Sequence, residues 1–333
     1  MLSTIIKTIL PSPALIMDES LGYSHAINRV KKLLEEEKWK SVEEALEKKN
    51  HAELSLFVSQ LSTTNDERTV LKWYNANPHS FYATIAYAHY FINYAWDARG
   101  DGLGSTVTED MALLFFQRLD QAHSLLEHAK RLKPEHPEPY SLDIVIEKAR
   151  PYYGRELIDD LNRIDKMHIQ GQCAIVNGLA QRWGGQKGEG LNYALELSAN
   201  EPDGSPLHAL IADAHIEVWM DFIENQLAAK NYFLRKEVKQ DLLTAFEKTF
   251  PNQELRKDLD SLFILNIFAF CFYLAKLDSK AKTILTFLRG KSSEYPWFYS
   301  DHSVLASLDV NYAYSAIHKN LGINFSNFNT KRR

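Results

Sequence analysis

Apolar residues recur every three or four positions along almost the whole chain, and this spacing constrains the fold more than any other feature. The clearest case follows Thr108, where six apolar residues lie on one stripe of a helix: Ala112, Phe115, Leu119, Ala122, Leu126 and Ala129. Thr108 is a suitable N-cap for this helix, and Pro134 ends it. The chain has no convincing run of alternating apolar and polar residues, so the sequence predicts an all-α fold.

The segment over residues 80–98 has the same helical spacing but is apolar on more than one face. Tyr87 and Tyr94 belong to one stripe, and Ile85 and Trp96 belong to another. A helix that is apolar all round is packed by neighbours on several sides. We therefore expect this helix to be central to the fold.

The prolines mark the starts of helices. Pro206, Pro251 and Pro296 each lie at or just before a predicted helical start, where the missing N–H costs little. The three are equally spaced, and their interval falls in the range of about 34–47 residues that is typical of helix pairs in solenoid proteins. This spacing predicts helical repeats.

The charge balance and the cysteine count exclude several classes of protein. Lys and Arg number 38 against 43 Asp and Glu, a net charge of −5, which is unlike a nucleic-acid-binding domain. Cys173 and Cys271 lie far apart, so neither a disulfide framework nor a structural zinc site is expected. The strongest apolar run, residues 262–275, is too short to cross a bilayer. We predict a soluble, cytoplasmic protein that binds neither nucleic acid nor membranes.

No cofactor, metal site or catalytic residue is predicted. Asp213, His215 and Glu217 share one predicted helix with His208. His208 and His215 lie on the same face but about 10 Å apart along the axis, which is too far for one metal ion.

Half of the glycines fall in two short loops. The first loop contains Gly100, Gly102 and Gly104, and the second contains Gly184, Gly185, Gly188 and Gly190. Such loops can hold a phosphate when their amides converge, but glycine also permits left-handed turns after helices. Neither loop follows a strand or ends in the Gly-Lys-Ser/Thr sequence of a P-loop. The turn interpretation is therefore favoured, and the phosphate site stays as the alternative.

A tryptophan and an arginine stand next to each glycine-rich loop: Trp96 with Arg99 before the first, and Arg182 with Trp183 before the second. An arginine stacked on a tryptophan would stiffen its loop. The same residue types dominate the centres of protein interfaces. These four residues, together with Tyr94, are therefore candidates either for loop stiffening or for binding a partner.

Three junctions of the chain, over residues 77–83, 128–140 and 272–285, resemble the turns of tetratricopeptide repeats. A closer similarity covers residues 29–199. It is carried by Trp73, Asn77-Pro78 with Ser80, the run from Tyr94 to Gly100, Thr106-Val107, the run from Arg182 to Gly185, and Gly188. This series is similar to an uncharacterised bacterial family, domain of unknown function 4034. The resemblance implies a tetratricopeptide-like α-solenoid, a helical-repeat array, and brings no established reaction.

The resemblance and the helical pattern together predict four segments. Residues 1–24 form a partly irregular N-terminal segment, and residues 25–200 form the helical domain that resembles the family. Residues 201–320 form further helical hairpins packed on that domain, and residues 321–333 form a C-terminal tail.

A helical array presents a long surface for recognition, and this suggests the function. We expect a non-catalytic helical-repeat protein that binds another protein through a rigid, preorganised surface. One alternative within this class is an immunity protein that neutralises a cognate bacterial toxin. A second alternative is an enzyme with a polar site near the two glycine-rich loops.

Overall fold

The computed structural model describes residues 14–63, 65, 67–100, 106–150, 155–222, 225–299, 310–324 and 328. Within these residues the chain forms sixteen α-helices and no β-strand, apart from an isolated bridge between Asp18 and Lys291. The predicted all-α class is therefore confirmed. The helices are α1 Ser24–Glu35, α2 Trp39–Glu47, α3 His51–Leu61, α4 Glu67–Ala76, α5 Phe81–Arg99, α6 Glu109–Leu132, α7 Glu138–Glu147, α8 Arg155–Asp165, α9 Ile169–Gly178, α10 Glu189–Ala199, α11 Leu210–Met220, α12 Gln226–Tyr232, α13 Lys236–Thr249, α14 Leu259–Leu274, α15 Asp278–Leu288 and α16 Val310–Asn320.

The chain divides into two compact units. The first unit takes the described residues of 24–190, and the second takes those of 1–23 and 191–333. Each unit is described by itself below.

Helices α5, α6 and α7 form a core of the first unit. Five of the six residues of the predicted stripe are buried, from Phe115 through Leu119 and Ala122 to Leu126 and Ala129, with Leu125 in addition, whereas Ala112 is only partly buried. The Thr108 hydroxyl accepts a hydrogen bond from the Met111 amide and caps the helix as predicted. Side chains of α5 and α7 complete the core, and they are Ala88, Ile92, Ala95, Leu142 and Ile146.

Helix α5 is buried on several sides, which confirms the prediction for residues 80–98. The Ser80 hydroxyl accepts a hydrogen bond from the Ala83 amide and caps the helix. Ten of its residues are buried, and they are spread around the whole helix: Phe81, Tyr82, Ala83, Thr84, Ile85, Ala86, Ala88, Tyr90, Ile92 and Ala95. Its last two turns carry three of the candidate residues named above, Tyr94, Trp96 and Arg99.

Helix α14 is the buried apolar helix of the second unit and corresponds to the strongest apolar run of the sequence. Its one buried amide, Asn266, is fully hydrogen-bonded: Nδ2 donates to the Leu262 carbonyl, and Oδ1 accepts from Ser292 and Trp297. The run thus serves as a core helix. Among the described residues, no helix combines the length and the apolar character that crossing a bilayer requires.

Helix α14 joins α15 through residues 275–277, and the turn places Lys276 in the left-handed conformation with a φ of 58°. The Lys276 amide donates to the Tyr273 carbonyl, and the Leu277 amide donates to the Phe272 carbonyl. This pair of bonds is the Schellman motif, in which glycine is usual at the left-handed position.

The connection between α1 and α2, residues 36–38, has the same geometry in the first unit. Glu37 is left-handed with a φ of 55°, its amide donates to Leu34, and the Lys38 amide donates to Leu33. Two helical hairpins of the chain therefore share one turn type, and both place a charged residue where glycine is usual.

The helical spacing of residues 207–229 predicts one continuous helix, and this prediction is wrong. The structure has a 3₁₀ turn at Pro206–Ala209, then α11, then α12 after a break. The break has a local cause, because the Asn225 side chain accepts a hydrogen bond from the Ala228 amide and starts a new helix there. Asp258 caps α14 in the same way, by accepting from the Ser261 amide, so this helix begins at Leu259, although the sequence pattern predicts a start at residue 253.

Candidate functional site

Trp96 and Trp183, the tryptophans that precede the two glycine-rich loops, contact each other in the first unit. Trp96 lies in the last turn of α5, and Trp183 ends the 3₁₀ turn Gln181–Trp183 that follows α9. Their ring centroids are 5.8 Å apart, and the rings are nearly perpendicular at 85°. This edge-to-face arrangement is favourable for aromatic pairs. The sequence assigned each tryptophan to its own loop, and the structure brings the two together.

Two cationic side chains lie over both indole rings. The Arg99 guanidinium carbon is 5.5 Å from the Trp96 ring and 5.7 Å from the Trp183 ring. The Lys148 ammonium is 5.0 Å and 5.3 Å from the same rings, and it also donates to Asn177 Oδ1. All four distances are within the range of cation–π attraction. We call Trp96, Arg99, Lys148 and Trp183 the tryptophan–cation cluster.

The other two candidate residues, Tyr94 and Arg182, lie outside the tryptophan–cation cluster. Tyr94 is paired with Arg118 of α6, whose guanidinium carbon lies 3.2 Å from the Tyr94 ring centroid and which donates to the Tyr94 carbonyl. Arg182 is exposed in the 3₁₀ turn beside Trp183. Sequence reasoning missed Lys148 and Arg118, because neither stands next to a glycine-rich loop.

The glycines of the second loop have steric reasons to be glycine. Gly184 and Gly188 have φ values of 97° and 74°, which favour glycine. A Cβ on Gly185 would lie 2.1 Å from the Leu179 carbonyl oxygen, and one on Gly190 would lie 2.8 Å from the Val176 oxygen. Gly100, with a φ of 72°, ends α5 in the first loop, whereas Gly102 and Gly104 lie outside the described residues.

Gly185→Ala should lower the free energy of unfolding by about 2–3 kcal/mol, because the new methyl group must displace a backbone carbonyl. Gly188→Ala is the matched control: its added Cβ meets nothing within 4 Å, and only the left-handed conformation opposes it, at about 1 kcal/mol. Urea denaturation measures both. Equal losses for the two variants would show that the close approach at Gly185 does not matter.

Large apolar side chains are exposed at the start of α6, close to Tyr94. Leu113, Leu114 and Phe116 are 59%, 44% and 41% exposed, and Tyr94 is 37% exposed. Leu114 lies one turn before Arg118, the residue that contacts Tyr94. We call Tyr94, Leu113, Leu114 and Phe116 the α6 apolar patch. The sequence contained a signal for it, since Leu113, Leu114 and Phe116 lie off the buried stripe of α6.

A polar trio of two buried residues, Glu138 and His168, and the partly buried Ser55 connects three helices of the first unit. Glu138, at the start of α7, accepts a hydrogen bond from the Ser55 hydroxyl of α3. His168, which caps α9, places its Nε2 3.3 Å from the same Glu138 oxygen and 3.4 Å from the Ser55 oxygen. Burial alone raises the pKa of Glu138, but the contacts of His168 and the Ser55 hydrogen bond reverse this and hold the pKa below its usual value.

The trio contains a serine, a histidine and a carboxylate, yet its hydrogen bonds do not form a catalytic triad. His168 Nδ1 accepts from the Gly171 amide, so a ring proton is on Nε2 and is directed to Glu138. A general base would need a free lone pair facing the serine hydroxyl. Here the hydroxyl donates to Glu138 instead. The arrangement is that of a structural contact between α3, α7 and α9.

Among the described residues, one group of three side chains has ligand atoms close enough together to hold a metal ion. The group consists of His123, Glu127 and Asp143, and their ligand atoms lie within 4.8 Å of one another. A lysine already supplies the positive charge there, because Lys130 Nζ is 2.6 Å from Asp143 and 2.8 Å from Glu127. The other Asp143 oxygen bonds to His123 at 2.7 Å. A cation would have to displace an ammonium group that fits this site.

His208 and His215 have separate partners in the second unit. His208 belongs to the 3₁₀ turn Pro206–Ala209 and bonds to Ser198 and the Pro202 carbonyl at 2.7 and 3.0 Å. His215, on α11, bonds to the Tyr232 hydroxyl at 2.8 Å. The placement of both on one helix was wrong. Asp213 and Glu217 are buried on α11, where the Tyr295 hydroxyl donates to Asp213 and lies 3.5 Å from Glu217.

No protein-family model matches the chain, and no curated protein or solved structure matches it. The similarity to domain of unknown function 4034 therefore stays a prediction. Function has to be argued from the residues of this chain.

Proposed function

We propose that the chain is a non-catalytic, tetratricopeptide-like helical-repeat protein that binds another protein. The repeat architecture is supported by the hairpins α1–α2 and α14–α15, which share one turn type, and by the closely packed pair α5–α6. Repeats of this kind present helix faces to partners.

The observation that carries the binding function is the α6 apolar patch. Three large apolar side chains within four residues of one helix remain exposed: Leu113 lies opposite the buried stripe of α6, and Leu114 and Phe116 lie on the two flanks of that stripe. Exposed apolar side chains that cluster in this way, with an aromatic residue and an arginine beside them, mark interaction surfaces. The tryptophan–cation cluster lies at the adjoining end of α5 and gives this region further interface residue types.

The polar groups of the first unit support binding over catalysis. The Ser55–Glu138–His168 trio is committed to contacts between helices, and the acidic group around Asp143 is neutralised by Lys130. The second glycine-rich loop is explained by backbone geometry. These residues therefore support the binding function more than the enzyme alternative.

The test is affinity capture from a lysate of the source organism, read by mass spectrometry. The wild-type chain is compared with a Leu113→Ser/Leu114→Ser/Phe116→Ser variant. We expect recovery of the specific partner to fall at least about tenfold, as for the loss of interface hot spots. A toxin among the captured proteins would identify the immunity function.

Leu227→Ser is the matched control, because Leu227 is an exposed leucine of the second unit, 71% exposed, outside the α6 apolar patch. It should capture the partner as the wild type does. Equal recovery by the triple variant would contradict the proposed surface. Recovery of no partner, together with a nucleotide that copurifies in stoichiometric amount, would favour the enzyme alternative.

A further inference from the structure

An open cavity of about 710 Å³ lies in the second unit, between the end of α13, the segment that precedes α14, and the turn that joins α14 to α15. Leu255 and Leu277, which are both partly exposed, contribute the accessible apolar part of its wall. Phe246 and Ile284 also line it but are almost fully buried. Its volume is within the range of about 300–1,000 Å³ that is usual for small-molecule sites. The cavity belongs to neither the α6 apolar patch nor the tryptophan–cation cluster.

Two residues that line the cavity have backbone conformations that favour glycine. Gln253 and Lys276 have φ values of 60° and 58°. A residue with a side chain costs about 1 kcal/mol or more in this conformation, and such costs cluster at functional sites. At Lys276, the Schellman turn would be satisfied better by glycine. The chain instead keeps a long polar side chain at both positions, and both line the cavity.

The charges of the cavity define what it would bind. Lys276 and Lys280 line it together with a single carboxylate, Asp278. The Lys280 ammonium lies 5.4 Å from the ring of Phe246, so a positive charge stands at the edge of the apolar wall. The lining has a net positive charge, next to an amide that can donate and accept hydrogen bonds. This combination matches a ligand with an apolar body and one negative group.

We propose that this cavity binds a small amphiphilic anion, with its apolar body against Leu255 and Leu277 and its anionic group between Lys276 and Lys280. The site adds a small-molecule ligand to the proposed protein-binding function and lies on a different unit.

The test uses a pair of fluorescent probes with the full chain. 8-Anilinonaphthalene-1-sulfonate carries an aromatic body and one negative charge, and N-phenyl-1-naphthylamine has the same rings without the sulfonate. We expect the sulfonate probe to bind more tightly. Lys276→Gly and Lys280→Gln should each weaken its binding about tenfold, because each removes a charge-assisted contact. Binding of the neutral probe should stay unchanged in both variants.

Lys276→Gly separates ligand binding from structure, since glycine should raise the melting temperature while binding falls. Glu37→Gly is the matched control: it makes the same change in the equivalent turn of the first unit, so it should raise the melting temperature and leave binding as it is. Equal affinity of wild type and both lysine variants for the sulfonate probe would overturn the proposal. So would a neutral probe that binds as tightly as the charged one.

Discussion

Glu138→Ala should lower the free energy of unfolding by about 3 kcal/mol. Glu138 is 2% exposed, and its carboxylate accepts from Ser55 and from His168 Nε2. Alanine would leave the buried Nε2–H of His168 without its carboxylate acceptor and would remove the hydrogen bond of the partly buried Ser55, which costs far more than the loss of a surface ion pair. Urea denaturation followed by circular dichroism measures the change.

Glu135→Ala is the control in the same turn, because Glu135 is 76% exposed and pairs with the exposed Arg163. Such surface pairs contribute at most about 1 kcal/mol. Glu138→Gln should cost less than Glu138→Ala, since the amide oxygen still accepts from both donors. If Glu138→Ala were no more destabilising than Glu135→Ala, the trio would not hold α3, α7 and α9 together.

Acidification from pH 6.5 to about 4 should destabilise the protein steeply. Burial lowers the pKa of His89 from 6.5 to about 4, and burial together with the positive charge of His51 lowers that of His136 to about 4. Both imidazoles stay neutral in the folded chain over this range, while the unfolded chain takes up protons. The free energy of unfolding therefore falls as pH decreases, by up to about 3 kcal/mol for each histidine.

Hydrogen bonds to the two imidazoles oppose protonation in the folded state in addition to burial. His89 Nδ1 lies 3.1 Å from the Asn93 amide nitrogen, which donates to it, and His136 Nδ1 accepts from the Glu138 amide at 3.2 Å. A proton on either Nδ1 would face a donor. Below this range, protonation of Glu138 adds to the same trend. The pKa of this carboxylate is lowered in the folded chain, so its contribution to the free energy of unfolding is lost as the pH falls through that pKa.

Urea titrations at a series of pH values give the slope of stability against pH. His89→Gln should reduce the slope between pH 4 and 6.5 by up to about 1.4 kcal/mol per pH unit, which is the contribution of one proton. His25→Gln, at an exposed position of α1, is the control and should leave the slope as it is. An unchanged slope for His89→Gln would mean that His89 is protonated in the folded protein.

Apolar periodicity and capping residues were enough to predict helices α5 and α6. The stripe from Phe115 to Ala129, with the Thr108 cap, gave α6 correctly, and apolar residues on several faces marked α5 as buried. The break before α12 was missed because the Asn225 cap lies within a stretch that otherwise has helical spacing. Side-chain capping decided this boundary over periodicity.

The site was predictable only in part, because its contacts join distant segments. Trp96, Arg99 and Trp183 were identified from the loops they border, but their mutual contact depends on how α5 packs near the turn after α9. Lys148 had no local signal. Glu138 follows a proline at a helix start, where an acidic residue is expected to face solvent. Its burial depends on α3 and α9, which no local pattern reveals.

The contacts of α3 set a lower limit on how far the first unit can be shortened. Ser55 bonds to a residue 83 positions later, and His51 bonds to Asp165, 114 positions later, at 2.7 Å. In an ideal linear array each repeat contacts its neighbours alone, so helix pairs can be removed from the ends as modules. Here, removal of either α3 or the α8–α9 pair would cut polar contacts of the other. The first unit is therefore indivisible between these elements, whatever modularity its hairpins suggest.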